Sequence, residues 1–158
     1  MMNRYQMKKL LEKFNEANRE LDSLRDEHAR LKSALLCVTP SYGGDSGSGG
    51  PKDKIGENVP ELVDLRETVV DEVRQYAAIR DVVKAIVRRV SYHDPVKGQC
   101  LHYRYINGWS PAKTAREMCY VTATERGIHR DALDLACRVA SDMGVDETSS
   151  FFIGVPVI

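Results

Sequence analysis

The chain has 158 residues, 42% of them hydrophobic and 7% aromatic, and its 23 basic and 23 acidic side chains bring the formal net charge to zero. No apolar run approaches the ~18 residues of a transmembrane helix, and the charged segment MMNRYQMKKLLEKFNEANRE is unlike a secretory signal. These features predict a cytoplasmic protein that does not enter a membrane.

The neutral total hides segments of opposite sign. Residues 95–138 contain seven basic and four acidic side chains, a surplus of +3, whereas residues 139–158 contain three acidic side chains and no basic one. The net charge therefore does not exclude a nucleic-acid partner, because the charge that a polyanion meets is local.

Residues 1–39 predict one long coiled-coil helix. Their apolar positions recur at alternating steps of three and four, with Glu, Lys and Arg on the flanks, as in the heptad seam of a coiled coil. The seam positions are Met7, Leu10, Phe14, Ala17, Leu21, Leu24, His28, Leu31, Leu35 and Val38. A single helix cannot bury such a stripe by itself, so this helix requires a partner.

Residues 40–58 predict a flexible Gly/Ser linker, and residues 59–93 predict a second long helix with Pro60 in its first turn. The apolar positions of the second helix are Leu62, Leu65, Val69, Val73, Tyr76, Ile79, Val83, Ile86 and Val90. The two helices form either an antiparallel hairpin within one chain or an intermolecular coiled coil, which would make a homodimer through the N-terminal helices. Both arrangements bury the same stripes, so the sequence does not separate them.

Residues 94–140 predict three further helices. Asp94-Pro95 and Ser110-Pro111 each place a capping residue before a first-turn proline, and Asn107-Gly108 supplies residues that tolerate the left-handed backbone at a helix end. Trp109, just before the Ser cap, is expected to be a packing anchor. The whole protein is therefore expected to be all-α.

The last two of these helices have the spacing of a helix-turn-helix. A short helix over residues 112–118 is followed by a turn at Cys119-Tyr120, and Thr122 and Glu125 have the capping-box spacing that opens the final helix. Ala115 is the small residue expected to be buried in the short helix. With the helix that starts at Pro95 as support, this layout predicts a DNA-binding domain.

Small and basic side chains on the final helix are expected to face the DNA major groove. Arginine can donate two hydrogen bonds to guanine, and small residues allow close approach to the bases. The predicted base contacts are Ala123, Thr124, Arg126, Gly127 and Arg130. The predicted phosphate contacts, which position the protein without specifying sequence, are Arg104, Lys113, Arg116 and Thr122.

The segment LHYRYINGWSPAKTAREMCYVTATERGIHRDALDLA resembles the sigma-factor region 4-like helix-turn-helix of the ArpU/RinA-type phage late transcription regulators, in which RYING, a Trp or Leu, a Ser cap and a Cys-Tyr turn recur. The resemblance extends upstream through the linker and VPELVDLRETVVDEV, and covers roughly residues 10–137. It implies a regulator that acts on double-stranded DNA in a bacterial host cell and activates late, packaging or lysis genes of a prophage. The arm formed by the two long helices is expected either to form a dimer or to contact RNA polymerase.

This chain departs from the family pattern at several positions. Thr114 stands where the family usually has a buried Ile, and Glu125 stands where it usually has a buried Val. Gly127 lies in mid-helix, where Gly costs roughly 1 kcal/mol relative to Ala. Asp131 and Asp134 reduce the positive field of the same helix. These departures predict either a rolled recognition helix or a domain of marginal stability.

Two other functions are consistent with the same layout. One is a DNA-packaging adaptor of the small-terminase kind, which would form a ring, and the other is a helical interaction module whose helix-turn-helix does not bind DNA. Residues 141–158 form an acidic and then apolar tail, which either packs against the helices or docks to a partner such as RNA polymerase.

Catalysis and metal binding are not expected. No nucleophile triad, carboxylate pair or phosphate-binding glycine motif lies in a suitable context, so we expect no enzyme and no cofactor. The candidate zinc ligands Cys100, His102, Cys119, His129 and Cys137 lack the paired spacing of zinc sites. They are expected to be core or turn residues, with the cysteines as reduced thiols.

Overall fold

A computed structural model describes residues 2–37 and 59–145 of the chain. The fold class is all-α, as predicted, and no strand occurs in these two ranges. The helices are α1 (Arg4–Cys37), α2 (Val59–His93), α3 (Pro95–Leu101), a π-helical turn (His102–Ile106), α4 (Pro111–Glu117) and α5 (Thr122–Asp142). The predicted linker over residues 40–58 and the tail beyond Val145 lie outside the described residues.

The described residues divide into two compact units. Unit 1 contains residues 2–19 and 75–145, and unit 2 contains residues 20–37 and 59–74. The beginning of α1 and the end of α2 therefore belong to the same unit as α3, α4 and α5.

Unit 1 has one continuous hydrophobic core to which α1, α2, α3 and α5 all contribute. Its fully buried members, none more than 2% exposed, include Met7, Leu10, Leu11, Phe14, Val83, Ile86, Val90, Leu101, Ala132 and Ala136. The first turns of α1 and the last turns of α2 thus contribute to one core. Its other members come from α3, the π-helical turn and α5, together with Met2 and Val145.

Unit 2 buries only some of the remaining seam positions of the long helices. Leu21, Leu24 and Leu31 of α1 and Val69 of α2 are all less than 9% exposed, as the heptad pattern predicts. Leu65, which the sequence places in the second stripe, is 45% exposed, so the stripe of α2 is incomplete near its start.

The predicted helix starts at Asp94 and Ser110 are confirmed. The Asp94 carboxylate accepts hydrogen bonds from the backbone N–H groups of Val96 and Lys97, and Pro95 occupies the first turn. The Ser110 hydroxyl accepts from the N–H of Lys113, again with a proline following. Gly108 has a φ of 68°, the left-handed conformation expected at this helix end.

The predicted capping box at the start of α5 is wrong. The residue that precedes the helix is Val121, which makes no side-chain cap, and Thr122 is the first helical residue. The Glu125 side chain is fully buried instead of folding back to the helix start. A capping box does occur at the start of α1, where Asn3 and Gln6 each accept a hydrogen bond from the other's backbone N–H, at 2.9 and 2.8 Å.

Candidate nucleic-acid interface

α4 and α5 are joined by a tight turn and pack against each other. α4 ends at Glu117, and Cys119 adopts a φ of 59°, a left-handed conformation that is uncommon for a residue with a side chain. The Tyr120 N–H donates to the Ala115 carbonyl at 2.8 Å, which closes the turn. Ala115 is 2% exposed, as predicted, so the two helices approach each other closely at this small residue.

One face of α5 is buried in unit 1 and the opposite face is exposed. The buried residues are Glu125, Ala132, Leu133, Ala136, Cys137, Val139 and Ala140. The helical repeat of 3.6 residues places Ala123, Arg126, Gly127, Arg130 and Asp134 together on the other side. We refer to these five residues as the exposed face of α5.

The structure brings the predicted base contacts together at the start of α5. Ala123, Thr124, Arg126 and Arg130 are exposed, with Thr124 to one side of the face. Gly127 is partly buried, but a methyl group added to it would meet nothing within 4 Å. Gly127 therefore lies between two arginines, and no neighbouring atom fills the space beside its Cα.

Three of the predicted phosphate contacts lie near the same end of α5. Lys113 and Arg116 are exposed on α4, and Thr122 is the partly buried first residue of α5. The Lys113 Nζ is 4.3 Å from the centre of the Trp109 ring. Trp109 in turn packs on Tyr103, with ring centres 4.6 Å apart, so it is a packing anchor that also holds the lysine.

Arg104, the fourth predicted phosphate contact, faces the interior of the domain. Its side chain is 17% exposed, and its Nη1 is 3.5 Å from Oε1 of Glu125, whose side chain is fully buried. This arginine is therefore engaged by a buried carboxylate on α5 and does not belong to the exposed basic surface. The pair joins the π-helical turn to the first turn of α5.

Glu125 stands in a buried polar cluster. The Cys100 Sγ lies 3.7 Å from its Oε1, while its Oε2 and the Oγ1 of Thr114 have no hydrogen-bond partner among the described residues. Burial, followed by the nearby Glu125 charge, raises the pKa of the Cys100 thiol to about 12, so this cysteine is a neutral thiol. Thr114 and Glu125, the two departures from the family pattern, are both buried where apolar residues were expected.

Tyr105 and His129 form a second buried contact between the π-helical turn and α5. The Tyr105 hydroxyl is 2.8 Å from the His129 Nε2, and the two rings stack with centres 5.7 Å apart. Burial lowers the pKa of His129 to about 4, so the imidazole is neutral near pH 7. The sequence places His129 among core or turn residues but does not indicate this partner.

The two aspartates expected to weaken the positive field of α5 each lie beside an arginine. The Asp131 Oδ1 is 3.7 Å from the Arg130 Nε. Asp134 is held by Arg4 of α1 through two hydrogen bonds, one of them from Nη2 to Oδ2 at 2.7 Å. These bonds lower the pKa of Asp134, which is therefore ionised and paired with Arg4.

Within residues 2–37 and 59–145, no group of three or more His, Cys, Asp or Glu side chains could hold a metal ion. None of the helices in those ranges is long and apolar enough to cross a membrane. Comparisons with protein-family models, with curated proteins and with solved structures gave no match.

Proposed function

We propose that this chain binds double-stranded DNA sequence-specifically and regulates transcription, with α4, the turn and α5 acting as a helix-turn-helix. The observation that carries the proposal is the exposed start of α5, where Arg126 and Arg130 flank the accessible backbone of Gly127. In this motif the second helix enters the major groove with its N-terminal residues against the base edges. The opposite face of α5 is anchored in the core of unit 1.

The side chains divide into two roles. Arg126 and Arg130 specify sequence, since a guanidinium can donate two hydrogen bonds to guanine O6 and N7. Ala123 and Gly127 let the helix approach the bases, with Thr124 at the edge of the contact. Lys113, Arg116 and Thr122 lie on α4 and at the start of α5, where they can hold the phosphates that border the groove.

The buried position of Glu125 supports the proposal. A carboxylate on the exposed face of α5 would repel the DNA backbone, but this side chain is fully buried and paired with Arg104. The family resemblance adds the expectation that the regulated genes are late, packaging or lysis genes of a prophage. RNA polymerase is a further expected partner, contacted by the arm of long helices.

The test is a selection of duplexes from a random pool, followed by affinity measurements on the selected site. Arg126→Ala and Arg130→Ala should each weaken binding by about 5- to 150-fold, since a bidentate arginine–guanine contact contributes roughly 1–3 kcal/mol. Arg66→Ala, which removes the same charge from an exposed position of α2 in unit 2, is the matched control and should leave affinity unchanged. Unchanged affinity in both α5 variants would show that this surface does not read the site.

A further inference from the structure

The first turn of α1 reaches the exposed face of α5. Asp134 lies one helical turn beyond Arg130, and therefore on the same face. Arg4 holds the Asp134 carboxylate with both its Nε and its Nη2. A basic side chain from the start of the chain is thus part of the surface that carries the proposed base contacts.

Neighbouring residues restrict the position of Arg4 at the start of α1. Asn3 and Gln6 exchange reciprocal hydrogen bonds across the first turn of α1. Met7 and Leu10, on the following turn, are no more than 1% exposed in the core of unit 1. Hydrogen bonds in the first turn and packing in the next therefore fix the backbone at Arg4 beside α5. Asp134 fixes the Arg4 side chain, so less side-chain entropy is lost when Arg4 binds a ligand.

Lys8 extends the basic surface by one turn of α1. It is four residues after Arg4 and consequently on the same side of the helix. Its charge also helps to lower the pKa of His129, which places it near α5. The Lys8 side chain is 48% exposed, and its Nζ is 3.6 Å from Oε1 of Glu12.

Arg4 retains donors for a second anion. Its guanidinium has five N–H groups, of which Asp134 takes two, and the side chain remains 54% exposed. Asp134 is 12 residues after the start of α5 at Thr122, or ~18 Å along the helix, which exceeds the ~12 Å width of the major groove. A side chain at this level therefore lies outside the groove when the helix start is on the bases, where phosphates and not base edges are the available partners.

We propose that Arg4 and Lys8 of the first helix belong to the DNA interface and contact backbone phosphates beside the middle of α5. Asp134 acts as the positioning residue for Arg4 and does not itself contact DNA. This inference rests on the proposed function, because it assigns additional contacts to the same DNA-binding surface.

The experiment measures affinity for the selected duplex over a range of salt concentrations. Each phosphate contact contributes about 0.9 to the slope of log K against log salt. Arg4→Ala should therefore reduce the slope by about one and Arg4→Ala with Lys8→Ala by about two. Arg4→Lys, which keeps the charge, should keep the slope, and Arg66→Ala should not change it. Thermal melts of each variant verify that unit 1 stays folded under the assay conditions.

A double variant separates a phosphate contact from simple neutralisation of Asp134. If Arg4 holds a phosphate, Arg4→Ala with Asp134→Asn should keep the reduced slope of Arg4→Ala. Recovery of the wild-type slope in the double variant would overturn the inference, as would an unchanged slope in Arg4→Ala. Loss of binding in Arg130→Ala together with an unchanged slope in Arg4→Ala would refute this inference alone. A wild-type protein that selects no duplex would refute the proposed function itself.

Discussion

Removal of Arg104 should destabilise the protein strongly, because it would leave the buried Glu125 carboxylate without its counter-charge. Glu125 is fully buried, Arg104 is 17% exposed, and the two groups are 3.5 Å apart. Breaking a buried ion pair by removal of one partner costs about 3–5 kcal/mol. Since Arg104 retains some contact with water, the lower end applies, and Arg104→Ala should cost about 3 kcal/mol. In a chain of this size that corresponds to a fall in Tm of roughly 6–12 °C.

The matched variant replaces both partners by apolar residues of similar size. Arg104→Met with Glu125→Val should be close to neutral, or more stable than the wild type, because it removes the cost of burying two charged groups. The assay is urea unfolding, in which a change of midpoint at constant m-value reports stability. A cost below about 1 kcal/mol for Arg104→Ala, or an equal cost for the double variant, would refute the argument, because the loss of stability would then not come from an unpaired buried carboxylate.

Two further changes in α5 have expected outcomes. Gly127→Ala should raise the free energy of unfolding in urea by about 1 kcal/mol, since the added methyl group meets nothing within 4 Å. The same change should weaken binding to the selected duplex, because the methyl group fills space at the bases. Stronger binding would contradict the assigned contact. Burial lowers the pKa of His129 to about 4 in the folded state, against an ordinary value of 6.5. As the pH falls, the imidazole therefore binds a proton in the unfolded chain before it does so in the folded chain. The free energy of unfolding should consequently decrease between pH 6.5 and pH 4. His129→Gln should reduce this fall, and an unchanged pH dependence would show that His129 does not cause it.

The features that could be predicted from sequence are those that depend on neighbouring residues. The N-caps at Asp94 and Ser110 involve partners two or three residues away, and both are present. The heptad positions from Met7 to Leu24 are buried as predicted. Their burial could be predicted because the helical repeat that puts them on one face is a local property. The all-α class follows from the same periodicity.

The features that could not be predicted depend on partners distant in sequence. Glu125 has the local spacing of a capping box, but Arg104 lies 21 residues upstream and draws the carboxylate into the core. Arg4 and Asp134 are 130 residues apart, so no local pattern indicates their pairing. The contact between Tyr105 and His129 could not be predicted for the same reason. Nor could the sequence show that the long helices contribute to the same core as α3 and α5.

The central claim is that the exposed start of α5 recognises a DNA sequence. Its most direct test is a selection from random duplexes carried out in parallel with the wild-type chain and with the double variant Arg126→Ala, Arg130→Ala. We predict that the wild type enriches a short motif containing guanine, while the double variant keeps only weak, salt-dependent binding without a motif. The same motif from both proteins, or no motif from the wild type at low salt, would contradict the claim.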